Sequence, residues 1–156
     1  MRKAFFEALY KEMKENKDIY FVTADLGFGL GDKIKNDFHD RFINVQAAEQ
    51  AMLGVGIGLT VQGKIAICYS ITPFLLHRPF EAIKLYLHHE SIPVKLVGSG
   101  RDRDYEHDSF SHFEWNNKFI DLMDIEHIRP EDDYNMNQIV KDMLYNNKPT
   151  FLSLKR

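Results

Sequence analysis

Apolar positions along the chain keep two alternating rhythms. Ala4, Phe5, Ala8, Leu9 and Met13 share one helical face while Glu7, Lys11 and Glu12 share another, so the spacing predicts an amphipathic helix over roughly residues 3–16. Ile19-Tyr20-Phe21-Val22-Thr23 follows as an unbroken apolar run, the pattern of a strand covered on both faces. The alternation then repeats. A helix is expected over 32–39, a short strand over Arg41–Val45, a helix in the stretch Asn44–Leu59, and a strand over Lys64–Ser70. A helix from Phe74 to about His89 leads to a strand over Ile92–Gly98 and a long polar loop from Ser99 to Trp115. A helix over 116–123, a strand over Ile125–Ile128 closed by Pro130, a helix over 134–146 and a strand over Thr150–Leu154 complete the chain. Strands alternating with helices throughout argue an α/β fold, a three-layer α/β/α sandwich with a mainly parallel sheet. The length fits one domain, residues 1–156.

One stretch departs from the ordinary pattern. From Asn44 to Leu59 the residues are small or apolar almost all round, which means burial. Glu49 sits in the expected first turn, and Gly54, Gly56 and Gly58 crowd one region. Each glycine costs a helix interior about 1 kcal/mol against alanine, so something is expected to pack close to the backbone there. Glu49 reads either as a helix-start acid favoured by the macrodipole or as a buried functional carboxylate. Gln46 is a poor cap, and Ala47, Ala48 and Ala51 flank the acid rather than solvated residues.

Composition narrows the function classes. A net charge of −3 without a basic block gives no electrostatic support for nucleic acid or a membrane surface as partner. No apolar run approaches the length of a membrane span, and the N-terminal residues do not read as a signal peptide. The single cysteine, Cys68, falls in an expected core strand, which fits a reducing cytoplasm. The Gly27–Gly31 loop lacks both the dinucleotide fingerprint and a P-loop lysine. Asp25, at the end of the first strand, is either a turn aspartate or a ligand contact at the sheet's carboxyl edge. His88 and His89 lack further ligands at metal spacing and read as surface residues.

Taken together, the Asn44–Leu59 stretch, the Lys64–Ser70 strand and the segment Thr72–Lys84 resemble the pyrimidine-binding domain of thiamine-diphosphate enzymes of the transketolase group. That group carries N-V-G-I-A-E-Q-N-M-x-G-x-A-x-G-L, then a strand, then S-x-x-P-F-L-x-x-R-x-x-E. Asn44, Val45, Ala48, Glu49, Gln50, Met52, Gly54, Gly58 and Leu59 match the first motif, and Ser70, Pro73, Phe74, Leu75, Arg78 and Glu81 match the second. The resemblance implies a six-stranded parallel sheet with helices on both faces. It implies thiamine diphosphate as cofactor and transfer of a two-carbon ketol unit between sugars.

The resemblance also assigns roles. Glu49 would share a proton with N1′ of the aminopyrimidine and so favour the form in which the cofactor's own amino group acts as base. Burial beside the ring would bring such a carboxyl towards working pH. Phe74 would stack on the ring, with Phe80 as a second aromatic and Asp25 as a further cofactor contact. From the residues themselves, His77 reads either as lining the pocket or as a plain polar helix residue, and Arg78 as the partner of a carboxylate such as Glu81 or a neutraliser of charge at the pocket mouth. In relatives the 108–112 segment reads D-G-P-T-H. Asp108 and His112 match it, with His112 a hydrogen-bond donor or proton shuttle, but Ser109, Phe110 and Ser111 depart from it. Arg101 and Arg103 read either as recognition of a phosphate or sugar carboxylate or, since they alternate with aspartates, as a solvated charge pattern, which is the favoured reading.

The sequence contains no G-D-G segment, the motif that holds the cofactor's diphosphate through a divalent metal in this group. The expectation is half an active site, completed by a diphosphate-binding transketolase-like subunit that carries Mg²⁺, in a hetero-oligomer or dimer of heterodimers acting on a small sugar or keto acid. The alternatives are a 2-oxo acid decarboxylase or dehydrogenase beta-type subunit, a non-catalytic module that keeps the fold, and an assembly protein that pairs through its glycine-notched helix.

Overall fold

The computed structural model describes residues 1–114 and 118–156. Its elements are α1 (Arg2–Glu15), β1 (Ile19–Thr23), α2 (Asp32–Asp37), β2 (Phe42–Asn44), α3 (Glu49–Val61) and β3 (Ile65–Ile71). These are followed by α4 (Thr72–His77), α5 (Phe80–Ala82) running into π-helical turns over Ile83–His89, and β4 (Lys95–Ser99). A 3₁₀ segment (Lys118–Leu122), β5 (Glu126–Ile128), α6 (Met136–Tyr145) and β6 (Thr150–Leu154) end the chain.

The six strands form one sheet in the order β2-β1-β3-β4-β6-β5, and every pairing is parallel. Parallel strands need crossover connections and bury both faces, which is why the strand segments read as apolar runs. Side chains alternate across the sheet. Phe21, Ile67, Tyr69 and Val97 face α1 and α6, where Phe5, Phe6, Leu9, Met13, Val140 and Met143 complete one core cluster. Val22, Cys68, Leu96 and Phe151 face the other way, against Met52 and Leu53 of α3, Leu75 and Leu76 of α4, and Ile83 and Leu87 of the π-helical turns.

Strand order positions the site. The chain leaves β1 for the sheet edge at β2, then crosses back over β1 through α3 to form β3. Such a reversal opens a crevice at the carboxyl ends of the strands. α3 begins at that end of β2, so its first residue, Glu49, is delivered to the crevice.

Several expected boundaries move, each for a local reason. The expected helix at Asn44 starts only at Glu49. The Asn44 Oδ1 accepts the backbone N–H groups of Asp25 at 3.0 Å and Gln46 at 2.9 Å, and Gln46 takes φ +60°, so the chain turns before the helix begins. The long helix expected from Phe74 to His89 starts at Thr72 and breaks after His77, because Pro79 has no N–H to continue the ladder. The expected Ile92–Gly98 strand is β4, from Lys95. The 116–123 helix is a 3₁₀ segment from Lys118, its first residues lying outside the described ones.

α3 is not buried all round. Glu49, Met52, Leu53 and Gly56 are buried, whereas Gln50, Ala51, Gly54 and Gly58 are exposed. A side chain added at Gly54 or Gly58 would meet open space, while one at Gly56 would press on Cys68. Only the middle glycine of the three serves packing within the chain.

Candidate active site

Glu49 is the first residue of α3, preceded by Ala48, which offers no side-chain cap. The start of a helix favours negative charge, but this carboxylate is also buried, with 3% of its surface exposed. A buried charge has to be compensated. The Arg78 Nη1 donates to Glu49 Oε2 at 2.7 Å, and the hydroxyl of Ser70, near the end of β3, donates to Oε1 at 3.4 Å.

Arg78 follows α4 directly, and its backbone carbonyl accepts a bond from Gln50 Nε2 at 3.2 Å. Its guanidinium lies over the Phe74 ring, 3.7 Å from the centroid. Phe74 meets the His112 ring nearly edge-on, with centroids 4.9 Å apart. The Nδ1 of His112 lies 2.8 Å from the Ser109 hydroxyl and 3.1 Å from that of Ser111. Glu49, Arg78, Phe74 and His112 thus form one continuous chain of contacts from α3 to the loop after β4.

Beside them is a cavity of about 310 Å³ between α4 and that loop, lined by Phe74, His77, Arg78, Phe110, Ser111 and Phe113. Burial lowers the His77 pKa from its usual value, which favours the neutral imidazole. Its ring also meets Phe119 at 5.6 Å.

Three expected site residues stand apart from this constellation. Phe80 is 40% exposed and packs edge-on against Phe119 at 5.4 Å. Asp25, at φ +53°, bonds to Asn44 and shapes the turn before α3. Asp108 is exposed, its N–H donating to the Tyr105 carbonyl at 3.0 Å. Arg78 pairs with Glu49 rather than with Glu81.

The loop after β4 holds two more surprises. Arg101, expected in solvent, is only 2% exposed; it lies two residues beyond β4, its Nη1 donates to the Pro130 carbonyl at 2.9 Å, and Asp102 and Glu131 lie within ion-pair range. Arg103 is exposed and pairs with Glu106, as a solvated pattern requires. Glu114 and Arg129 carried no signal in the sequence because they lie 15 positions apart, yet they bond at 3.3 Å. Arg129 also reaches Asp102, so the pair fastens the loop that carries His112. Burial, the leading influence, raises the Glu114 pKa. Among the described residues no group of three or more potential ligands could hold a metal.

Phe74 and Glu49 offer an apolar face and a hydrogen-bonding carboxylate, joined through one side chain. A planar cation, the Arg78 guanidinium, already contacts both the Phe74 face and the Glu49 carboxylate.

Comparison with known proteins agrees. The family model for the pyrimidine-binding domain of transketolase matches residues 1–156. An apulose-4-phosphate transketolase subunit of Actinobacillus succinogenes is 36% identical over 69 residues, 44% of this chain and 22% of that protein. The 6-deoxy-6-sulfo-D-fructose transketolase subunit SqwH of a Clostridium species is 30% identical over 100 residues, 64% of this chain and 31% of that protein. The chain therefore spans a third or less of the length of these relatives. A split-gene transketolase, solved as an inactive β4 tetramer, superposes with a TM-score of 0.84 at 26% identity, over 99% of this chain and 50% of that one. A mutant transketolase from Pichia stipitis shares the fold, with a TM-score of 0.84 at 19% identity over 99% of this chain and 25% of that one. Family model, strand topology and site geometry converge: the chain belongs to the transketolase pyrimidine-binding domain family.

Proposed function

We propose that this chain is the pyrimidine-binding part of a thiamine-diphosphate-dependent, transketolase-like enzyme that moves a two-carbon ketol unit between sugars. The observation that carries the reading is the buried Glu49 carboxylate at the start of α3, joined to the Phe74 face through Arg78. Thiamine diphosphate, when bound, supplies the carbanion chemistry.

This chain's residues do the rest. Glu49 holds a proton at N1′ of the ring, and Ser70 fixes the orientation of its Oε1. Phe74 presents the apolar wall. His112, with Nδ1 engaged by Ser109 and Ser111, keeps Nε2 for a substrate hydroxyl or carbonyl. His77 lines the cavity through which substrate would reach the site. A partner chain provides the diphosphate and Mg²⁺ half, as a hetero-oligomer in the cytoplasm. The relatives named as transketolase subunits support the partner and the ketose class of substrate.

The test is reconstitution. A pull-down from native extract with thiamine diphosphate and Mg²⁺ should recover a protein bearing a G-D-G…N segment. Mixing the two should give thiamine-dependent ketol transfer, with ketose phosphates and 2-oxo acids compared as donors. Turnover by this chain alone would overturn the two-subunit arrangement, and preference for 2-oxo acids would move the enzyme to the decarboxylating class.

A further inference from the structure

We propose that Arg78 is a place-holder for the cofactor's aminopyrimidine ring, occupying its position in the unliganded chain and swinging away when the ring binds; this rests on the function proposed above. A guanidinium is flat, cationic and rich in N–H donors. Here it lies 3.7 Å from the Phe74 centroid, the spacing of two surfaces in contact, so no second flat group fits between them. Its Nη1 takes Glu49 Oε2 at 2.7 Å. The ring's wall and its proton partner are therefore both engaged by one side chain.

Arg78 solves a problem that Glu49 creates. The Glu49 side chain is 2% exposed, and Arg78 is the cation paired with it among the described residues. Leaving a buried carboxylate unpaired is costly. The same pairing means the ring has to displace the guanidinium to reach Glu49.

The structure leaves Arg78 somewhere to go. Its side chain is 43% exposed and already lines the cavity of about 310 Å³ shared with Phe110 and Ser111. Its carbonyl is held by Gln50 Nε2 at 3.2 Å. Rotation of the side chain on a pinned backbone is enough. The affinity observed for the ring is then the intrinsic affinity reduced by the fraction of chains in which Arg78 has moved.

The experiment titrates the isotope-labelled full chain with 4-amino-5-hydroxymethyl-2-methylpyrimidine, the ring half of the cofactor, and follows the Arg78 guanidinium signal by NMR. Arg78→Lys assigns that signal, which the Phe74 ring should shield. Binding is expected to abolish the shielding, and Arg78→Met is expected to bind the probe roughly tenfold more tightly. Should Arg78→Met fail to fold, the wild-type titration decides alone. A guanidinium that stays shielded at saturation, or an Arg78→Met that folds and binds no more tightly, overturns the place-holder. If neither chain binds the probe, and neither binds thiamine diphosphate with Mg²⁺ in the presence of the partner recovered by the pull-down, it is the cofactor-binding reading itself that falls, and the place-holder with it.

Discussion

Gly56 faces Cys68 so closely that a Cβ added to the glycine would stand 2.5 Å from the Cys68 Sγ. The next neighbours, Val94 and Ala66, are at ordinary contact distances of 3.5 and 3.9 Å. Gly56→Ala should therefore cost about 1–3 kcal/mol of stability through overpacking. Cys68→Ala removes the obstructing sulfur, so the double variant should recover most of that loss. Urea unfolding of the four chains tests the coupling, and strict additivity would show that the clash is relieved elsewhere.

The flanking glycines should behave oppositely. Nothing lies within 4 Å of a Cβ built on Gly54 or Gly58. Alanine at either position should stabilise the lone chain by about 0.5–1 kcal/mol through helix propensity alone. Leucine at Gly54 should leave the monomer folded but weaken any association that uses this face, which sedimentation with and without the partner would reveal.

Glu49→Gln keeps the shape of the side chain and removes its proton chemistry. Ketol transfer by the reconstituted complex should fall by at least about a hundredfold. Assembly measured by pull-down should survive. Retained turnover would remove Glu49 from the mechanism.

Gly100 has φ +85°, and a Cβ there would run into the ring of Tyr105. Tyr105 is tied by its hydroxyl to Ser99 at 2.8 Å and to Arg2 at 2.9 Å. Gly100→Ala should dislodge that ring and loosen the loop carrying His112. Faster proteolysis within residues 101–114 and a drop in turnover are expected, with the melting temperature less affected than by Gly56→Ala.

Alkaline stability should show two opposed slopes. Burial pushes the Cys68 thiol from 9.0 up to about 12, so the folded chain keeps a proton that the unfolded chain loses. Stability then falls as pH rises from 9.0 towards 12, by up to about 1.4 kcal/mol per pH unit. Burial, partly opposed by Glu126, brings Lys95 down from 10.5 to about 8, so the folded chain loses that proton first and stability rises across this interval. Burial also holds the Tyr69 hydroxyl neutral up to about 12, adding a second fall above 10.0. Cys68→Ala should steepen the rise and Lys95→Met the fall. Unfolding curves at a series of pH values decide it, and unchanged slopes in both variants would contradict these assignments.

Much of the fold was legible because parallel strands advertise themselves. Phe21, Ile67, Val97 and Leu152 belong to unbroken apolar runs, and their order with intervening helices admitted few topologies. The helix breaks were less legible. Asn44 stops α3 from starting early with a side-chain acceptor, a tertiary detail without periodicity. Glu49 and Phe74 were singled out by motif and setting, and in the fold one side chain, Arg78, touches both. The Glu49–Arg78 pair was not legible, since 29 residues separate the two and only the folded crevice joins them. Arg101 misled because a buried guanidinium and a solvated one look alike in a run of charges.

The sheet ends at β2 and β5, each a strand of only three residues. So short a border offers little backbone for another chain to zip onto. An interface at either border would therefore have to rest on side chains rather than on a strand ladder.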